Sequence, residues 1–200
     1  MIHARISRFA KIGSAVALAL ALMLVVAGCS SGAAPAPKGA SAKEGLPVAT
    51  SALSTMAPDA KLLVVQTSGA ATPTSTPTWS YLFGSPKNDK TFIVEVKDGK
   101  VVSASEYGAA GLTATDWAAV PKVDVWKIDS TDAYKTAVKA SGANSAASAY
   151  SMGFLTYLPS TETTSDTKPF VWYVSFDPST SGAATGTIKV DAKTGAIITK

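Results

Sequence analysis

Two stretches of this chain alternate large aromatic with other residues and then close in a tight turn, a pattern that confines most of it to antiparallel β-structure. The first runs Trp79-Ser80-Tyr81-Leu82-Phe83, then Thr91-Phe92-Ile93-Val94-Glu95-Val96-Lys97, then Asp98-Gly99 and Lys100-Val101-Val102. The second runs Phe170-Val171-Trp172-Tyr173-Val174-Ser175-Phe176, then Thr187-Ile188-Lys189-Val190-Asp191, then a turn through Gly195 into Ala196-Ile197-Ile198. Alternation of period two sends successive side chains to opposite sheet faces. Asp98-Gly99 is a two-residue hairpin signal because both turn positions take positive φ, and Gly195 suits the left-handed position of a longer hairpin loop.

A further strand precedes each set, Lys61–Gln66 in the first half and about Ala149–Leu158 in the second. Each half also opens on a helical pattern. Pro47 fits a first helical turn, and Val48, Ala52, Leu53 and Met56 recur at helical spacing before Pro58. Ser130 is placed to cap a helix in which Asp132 complements the dipole and Ala133, Ala137 and Val138 share a face up to Gly142. The expected fold is α+β, a tandem repeat of one helix followed by a four-stranded antiparallel sheet, over residues 43–111 and 129–200. Units this small are marginal alone, so the two sheets are expected to abut or join. The connecting segment 112–128, with Trp117 and Trp126, should pack at that junction, and the Thr-rich loops 67–78 and 160–168 should be exposed.

The chain begins differently. Arg5, Arg8 and Lys11 precede an apolar run, Ile12–Ala27, that is short for a membrane span and ends in Val26-Ala27-Gly28-Cys29. These four residues resemble a lipobox, the site at which bacterial lipoproteins are diacylated on cysteine and cleaved before it. Residues 1–28 are thus expected to be a removed signal peptide, Cys29 the lipidated anchor, and residues 29–42, rich in Ser, Gly, Ala, Pro and Lys, a flexible stalk with too little apolar surface to fold.

Removing the signal decides which chemistry is left. The chain carries 18 Lys plus Arg against 14 Asp plus Glu, for a net charge of +4, and three of those cations belong to the signal. Both arginines and the single histidine, His3, also lie there. A mature chain without histidine has no imidazole base, no Ser-His-Asp triad and no ordinary zinc site. Acylated Cys29 removes thiol chemistry. No cofactor or metal is expected. Nor is nucleic acid, since phosphate recognition needs a basic surface. Ser165-Asp166-Thr167-Lys168 and Lys193-Thr194-Gly195 match serine acyltransferase motifs in letters only, because Lys168 precedes Pro169 and a strand instead of opening a helix. Asp177–Gly182 opens like a calcium loop but has Ile188 where the bidentate glutamate belongs.

The second half resembles a PepSY domain: Ser130-Thr131-Asp132-Ala133 opens its helix, Val171-Trp172-Tyr173-Val174 forms a strand, and Val190-Asp191-Ala192-Lys193-Thr194-Gly195 forms the terminal hairpin. The first half resembles a degenerate copy, with Lys97-Asp98-Gly99-Lys100 in place of the longer turn. The doubled helix-plus-four-strand order is similar to that of the β-lactamase inhibitory proteins, though without their disulfides. These resemblances imply an extracytoplasmic protein that binds or inhibits enzymes and bring no catalytic residues with them.

Function is accordingly expected to be non-enzymatic: a membrane-anchored module that binds a protein partner outside the cytoplasm, in its sharpest form an inhibitor of a secreted or periplasmic hydrolase. The alternative is a carrier or sensor of a lipid or cell-wall fragment held between sheet and helices. Trp79, Tyr81, Trp172 and Tyr173 are the candidate binding residues, either on an open sheet face or in the helix-covered core. Scattered lysines, Lys61, Lys90 and Lys193 among them, read as solvated surface. The anchor is directly testable. Cys29→Ser should abolish lipid labelling and either release the protein or leave the signal uncleaved, and a wild-type chain cut before residue 29 yet carrying no acyl chain would contradict it.

Overall fold

Asp98 and Gly99 both take positive φ, 50° and 69°, the conformation a two-residue hairpin turn requires, and Lys97 pairs with Lys100 across it. In the computed structural model, which describes residues 41–123, 126–142, 148–159, 167–177 and 186–199, that hairpin lies at one edge of a single antiparallel sheet. The elements in chain order are α1 (Ala42–Ala52), β1 (Lys61–Thr67), β2 (Trp79–Ser85), β3 (Lys90–Lys97), β4 (Lys100–Ala109), α2 (Ala114–Ala119), α3 (Ser130–Ser141), β5 (Tyr150–Leu155), β6 (Val171–Phe176) and β7 (Thr187–Asp191). The sheet order is β4-β3-β2-β1-β5-β6-β7. Cys29, the expected signal 1–28 and residues 29–40 of the expected stalk lie outside the described residues, as do residues 160–166 of the expected exposed loop, Ser165 among them, and most of the Asp177–Gly182 loop; the stalk expected to run to residue 42 is corrected at its end, where Ser41 caps and Ala42 opens α1, both buried.

The expectation of two four-stranded sheets is corrected to one sheet of seven strands. β1 and β5 pair antiparallel through Val64↔Leu155, Val65↔Phe154 and Gln66↔Gly153, which satisfies backbone groups that two separate sheets would leave as open edges. The expected last strand of the second half shrinks to one bridge, Val190↔Ile197. It follows a turn in which the Asp191 carboxylate accepts from the backbone N–H of Lys193 and Thr194, both at 2.8 Å. The bound carboxylate lies below its ordinary pKa, held there by these backbone N–H groups against the opposing effect of burial. Gly195 takes φ 77°, the left-handed position expected of it.

Both helix starts differ by local chemistry from the expected ones. α1 begins before Pro47, at a capping box in which Ser41 Oγ accepts from Glu44 N and Glu44 Oε2 from Ser41 N. Pro47 lies inside the helix. α3 is capped by Asp129 rather than Ser130, and Ser130 Oγ instead accepts from Ala42 N of the other helix at 3.0 Å. Asp129 Oδ1 accepts from Ser130 N at 2.6 Å and Lys43 N at 3.1 Å. One carboxylate therefore serves the N-termini of both helices, whose positive dipole ends would otherwise repel.

Both helices cover the same sheet face, and the apolar side chains beneath them form the main core, from Leu53, Tyr81 and Val94 to Trp172, Val174 and Val190. At its centre Trp126 stacks on Phe154 at 4.9 Å and meets Trp172 edge-on at 5.7 Å, and Trp79 meets Trp172 at 6.2 Å. The indole N–H groups of Trp126 and Trp172 both donate to the Ile128 carbonyl, at 2.8 and 2.9 Å. The expectation that Trp117 shares this junction is corrected: it packs on the opposite sheet face with Leu63 and Val120. The Thr/Pro loop after β1 is also less exposed than expected, since Ala71 is buried and bridges Tyr150.

Gly45 faces Tyr81, whose buried hydroxyl donates to the Ala42 carbonyl at 2.6 Å. A Cβ added at Gly45 would lie 2.3 Å from that hydroxyl oxygen. Alanine favours a helix over glycine by about 1 kcal/mol, but overpacking a rigid core site costs about 1–3 kcal/mol. Gly45→Ala should therefore destabilise the protein in urea unfolding, and the penalty should vanish or reverse in a Tyr81→Phe background. Additive effects of the two substitutions would refute this contact.

Candidate binding face

Strand alternation places Trp79, Tyr81 and Phe83 of β2 and Trp172, Val174 and Phe176 of β6 on the helix-covered face, and all six are buried. Trp79 is 3% exposed, and Tyr81 and Trp172 are fully enclosed. For these three candidates the open-face role is corrected to a core role, because each aromatic face is the one on which α1 and α3 pack. Burial, with a smaller effect of Asp129, pushes the Tyr81 hydroxyl well above its ordinary pKa. Tyr173 is separated from the other three. It points to the opposite face and is half-buried.

On that opposite face the register aligns one row across the sheet: Ser103↔Glu95, Glu95↔Ser80, Ser80↔Gln66, Gln66↔Gly153, Gly153↔Tyr173 and Tyr173↔Lys189. It is charged at Glu95 near one end and at Lys189 at the other, and its middle is neutral. Glu95 is held by the hydroxyls of Ser68 and Ser103, at 2.7 and 2.9 Å. Lys189 Nζ stands 5.9 Å from the centre of the Tyr173 ring. The Tyr173 hydroxyl accepts from Lys168 N at 2.6 Å, which fixes the ring while leaving part of it accessible. At Gly153 an added Cβ would meet nothing closer than Gln66 Cβ at 3.9 Å, so the sheet has a shallow notch there, between the Gln66 and Tyr173 side chains. The neighbouring row is apolar, with Ile93, Leu82, Val64, Leu155 and Val171. Sequence reasoning missed Gln66, Glu95 and Gly153, because only the β1–β5 pairing brings them into line with Tyr173.

Among the described elements only α2 packs on this face, at one end. Trp117 sits over Gly84, where a Cβ would come within 2.3 Å of its ring. Lys61 Nζ donates to the Trp117 carbonyl at 2.7 Å, and Lys90 pairs with Glu106 at 2.7 Å, so neither lysine belongs to a free basic patch. The Asp116 carboxylate accepts from the Tyr157 hydroxyl at 2.6 Å and from Thr113 Oγ1 and N at 2.7 and 2.9 Å. These bonds hold Asp116 below the usual carboxylate range. Burial and then the Asp116 carboxylate push Tyr157 up to about 12. Among the described residues no three His, Cys, Asp or Glu side chains gather to hold a metal ion. The face offers apolar contact, amides and hydroxyls, which suits binding.

The Asp116–Tyr157 contact should make the seating of α2 pH-dependent. Asp116 is depressed when folded, so its contribution is present above the ordinary carboxylate range and lost as pH falls through its lowered value. The neutral Tyr157 contribution holds below about 10 and is lost as pH climbs towards about 12. Amide protection factors at Trp117 and Val120 should fall at both extremes, and Asp116→Asn should remove the acid step. An acid step unchanged in Asp116→Asn would exclude this latch.

Comparison with known proteins places little beside this chain. No known family matches it, and no curated protein matches it. Among solved structures it is similar to the crystal structure of a "putative lipoprotein" from Clostridium difficile 630, at 11% identity over 74% of this chain and 86% of that one, with a TM-score of 0.44.

Proposed function

We propose that the chain is a lipid-anchored extracytoplasmic binding module, without enzymatic activity, that holds a protein partner against the sheet face opposite α1 and α3; an inhibitor of a secreted or periplasmic hydrolase is the sharpest form of this reading. The observation that carries it is the aligned row Gln66, Gly153 and Tyr173, an aromatic anchor beside a notch in the neutral middle of the row. Anchors of this kind, a rigid aromatic in a partly desolvated setting, concentrate binding energy. The anchor at Cys29 supports the location: Val26-Ala27-Gly28-Cys29 follows a basic, apolar leader, and two acyl chains hold a protein at a membrane without a spanning helix. The PepSY-like tandem reading belongs here too. It is supported by the order of helix and strands in each half and by the Asp191–Gly195 hairpin, with three strands and a bridge in place of four in the second half.

The test is capture of partners from an envelope or secreted fraction by the mature chain, followed by titration with face variants. Tyr173→Ala should weaken binding by about 2 kcal/mol or more, and Gly153→Arg, which fills the notch without a clash beneath it, should block it. Urea unfolding of both variants should remain near wild type. Full binding by two folded variants would remove this face from consideration.

A further inference from the structure

The polar row on the face away from α1 and α3 is its own complement. In strand order it holds Glu95 on β3, Ser80 on β2, Gln66 on β1, Gly153 on β5, Tyr173 on β6 and Lys189 on β7. All of them but Ser80 are half-buried and keep surface for a partner. A line parallel to the strands, midway between β1 and β5, divides the row into equal halves. Turning a second copy about that line, face to face with the first, sets Glu95 against Lys189 of the second copy, Ser80 against its Tyr173 and Gln66 against its Gly153. Opposite charges meet, the bulky tyrosine meets a serine, and the amide meets the notch where an added Cβ finds nothing closer than 3.9 Å. The turn exchanges the two copies, so every contact is made twice. A turn about a line across the strands would instead set Glu95 on Glu95 and Lys189 on Lys189.

From this match of charge and size we infer that the occupant of the face is a second copy of the chain, held in a two-fold dimer whose axis runs along the strands between β1 and β5. The inference rests on the reading of this face as a binding surface and names its partner. α2 limits how the sheets close. It sits over Gly84, four residues along β2 from Ser80 and about 13 Å away, so the sheets stay apart at that end. Beyond the other side of the row the face carries Ser68, Ser151, Ser175 and Thr187, short side chains that let two sheets approach to the usual packing distance.

The experiment is an exchange of charges read by sedimentation equilibrium of the unacylated mature chain. Wild type should show a monomer–dimer equilibrium that weakens as salt is raised. Glu95→Lys and Lys189→Glu, each alone, should weaken dimerisation by about tenfold or more, because two attractions become two repulsions. Mixed in equal amounts, the two variants should associate with each other about as tightly as wild type does with itself, since every charge contact between them again joins opposite signs. Within one chain Glu95 and Lys189 stand five strands apart, about 24 Å, so no internal rearrangement of charge produces that recovery. Gly153→Arg fills the notch and should abolish the dimer, and it decides the matter if a charge variant does not fold. A wild-type chain that stays monomeric at about 1 mM, or a mixture that associates no better than its components, would overturn the inference. Tyr173-dependent capture of a different protein by a monomeric chain refutes the second copy and leaves the face reading standing, whereas loss of both self-association and capture removes the face itself.

Discussion

The short antiparallel seam between β1 and β5 is the interaction on which the rest of this structure depends. Three residue pairs form its ladder, and side chains lengthen it: Thr67 Oγ1 accepts from Met152 N at 3.2 Å, and the Thr156 hydroxyl donates to the Leu62 and Leu63 carbonyls. Without the seam each half would be a small sheet with an extra unpaired edge and too little buried surface to be stable by itself. With it, the two halves share one core.

The aromatic cluster sits where that seam needs cover. Trp79 comes from β2, Phe154 from β5, Trp172 from β6 and Trp126 from the segment before α3, so four separate pieces of chain meet over the joined strands. Two indoles buried together would each need a partner for the N–H, and the single Ile128 carbonyl provides for both. The chain then enters α3 at Asp129, whose carboxylate also reaches the start of α1. Sheet, tryptophans and helix starts are thus fixed by adjacent residues of one short segment.

Covering one face fully has a consequence for the other. The strands send small and neutral side chains, Ser80, Gln66 and Gly153, to the side away from α1 and α3, where among the described elements α2 packs at one end through Trp117 and the Asp116–Tyr157 contact. The outer edge strand β4 has two register shifts against β3 and carries Lys100 and Glu106, devices that discourage strand addition at an edge. The flat face, rather than the edge, is therefore the surface on which the proposed binding function rests.

Local rules made much of this legible in the sequence. Alternation and turn chemistry determined the strands and the Asp98-Gly99 and Gly195 turns, since period and positive φ are properties of a few consecutive residues. The Ser41-x-x-Glu44 box is equally local, yet the expected stalk ran over it; it outweighed Pro47 as the start of α1. What only the tertiary structure decided was everything that requires two distant segments to meet. Which face the helices chose turned Trp79, Tyr81 and Trp172 into core and left Tyr173 outside. The pairing of β1 with β5 made one sheet of two and aligned Gln66 and Gly153 with Tyr173. The sites of Trp117 and Trp126 diverged for the same reason: nine residues apart in one connection, they bury on opposite faces, because burial depends on which sheet surface the chain crosses and not on the tryptophan itself.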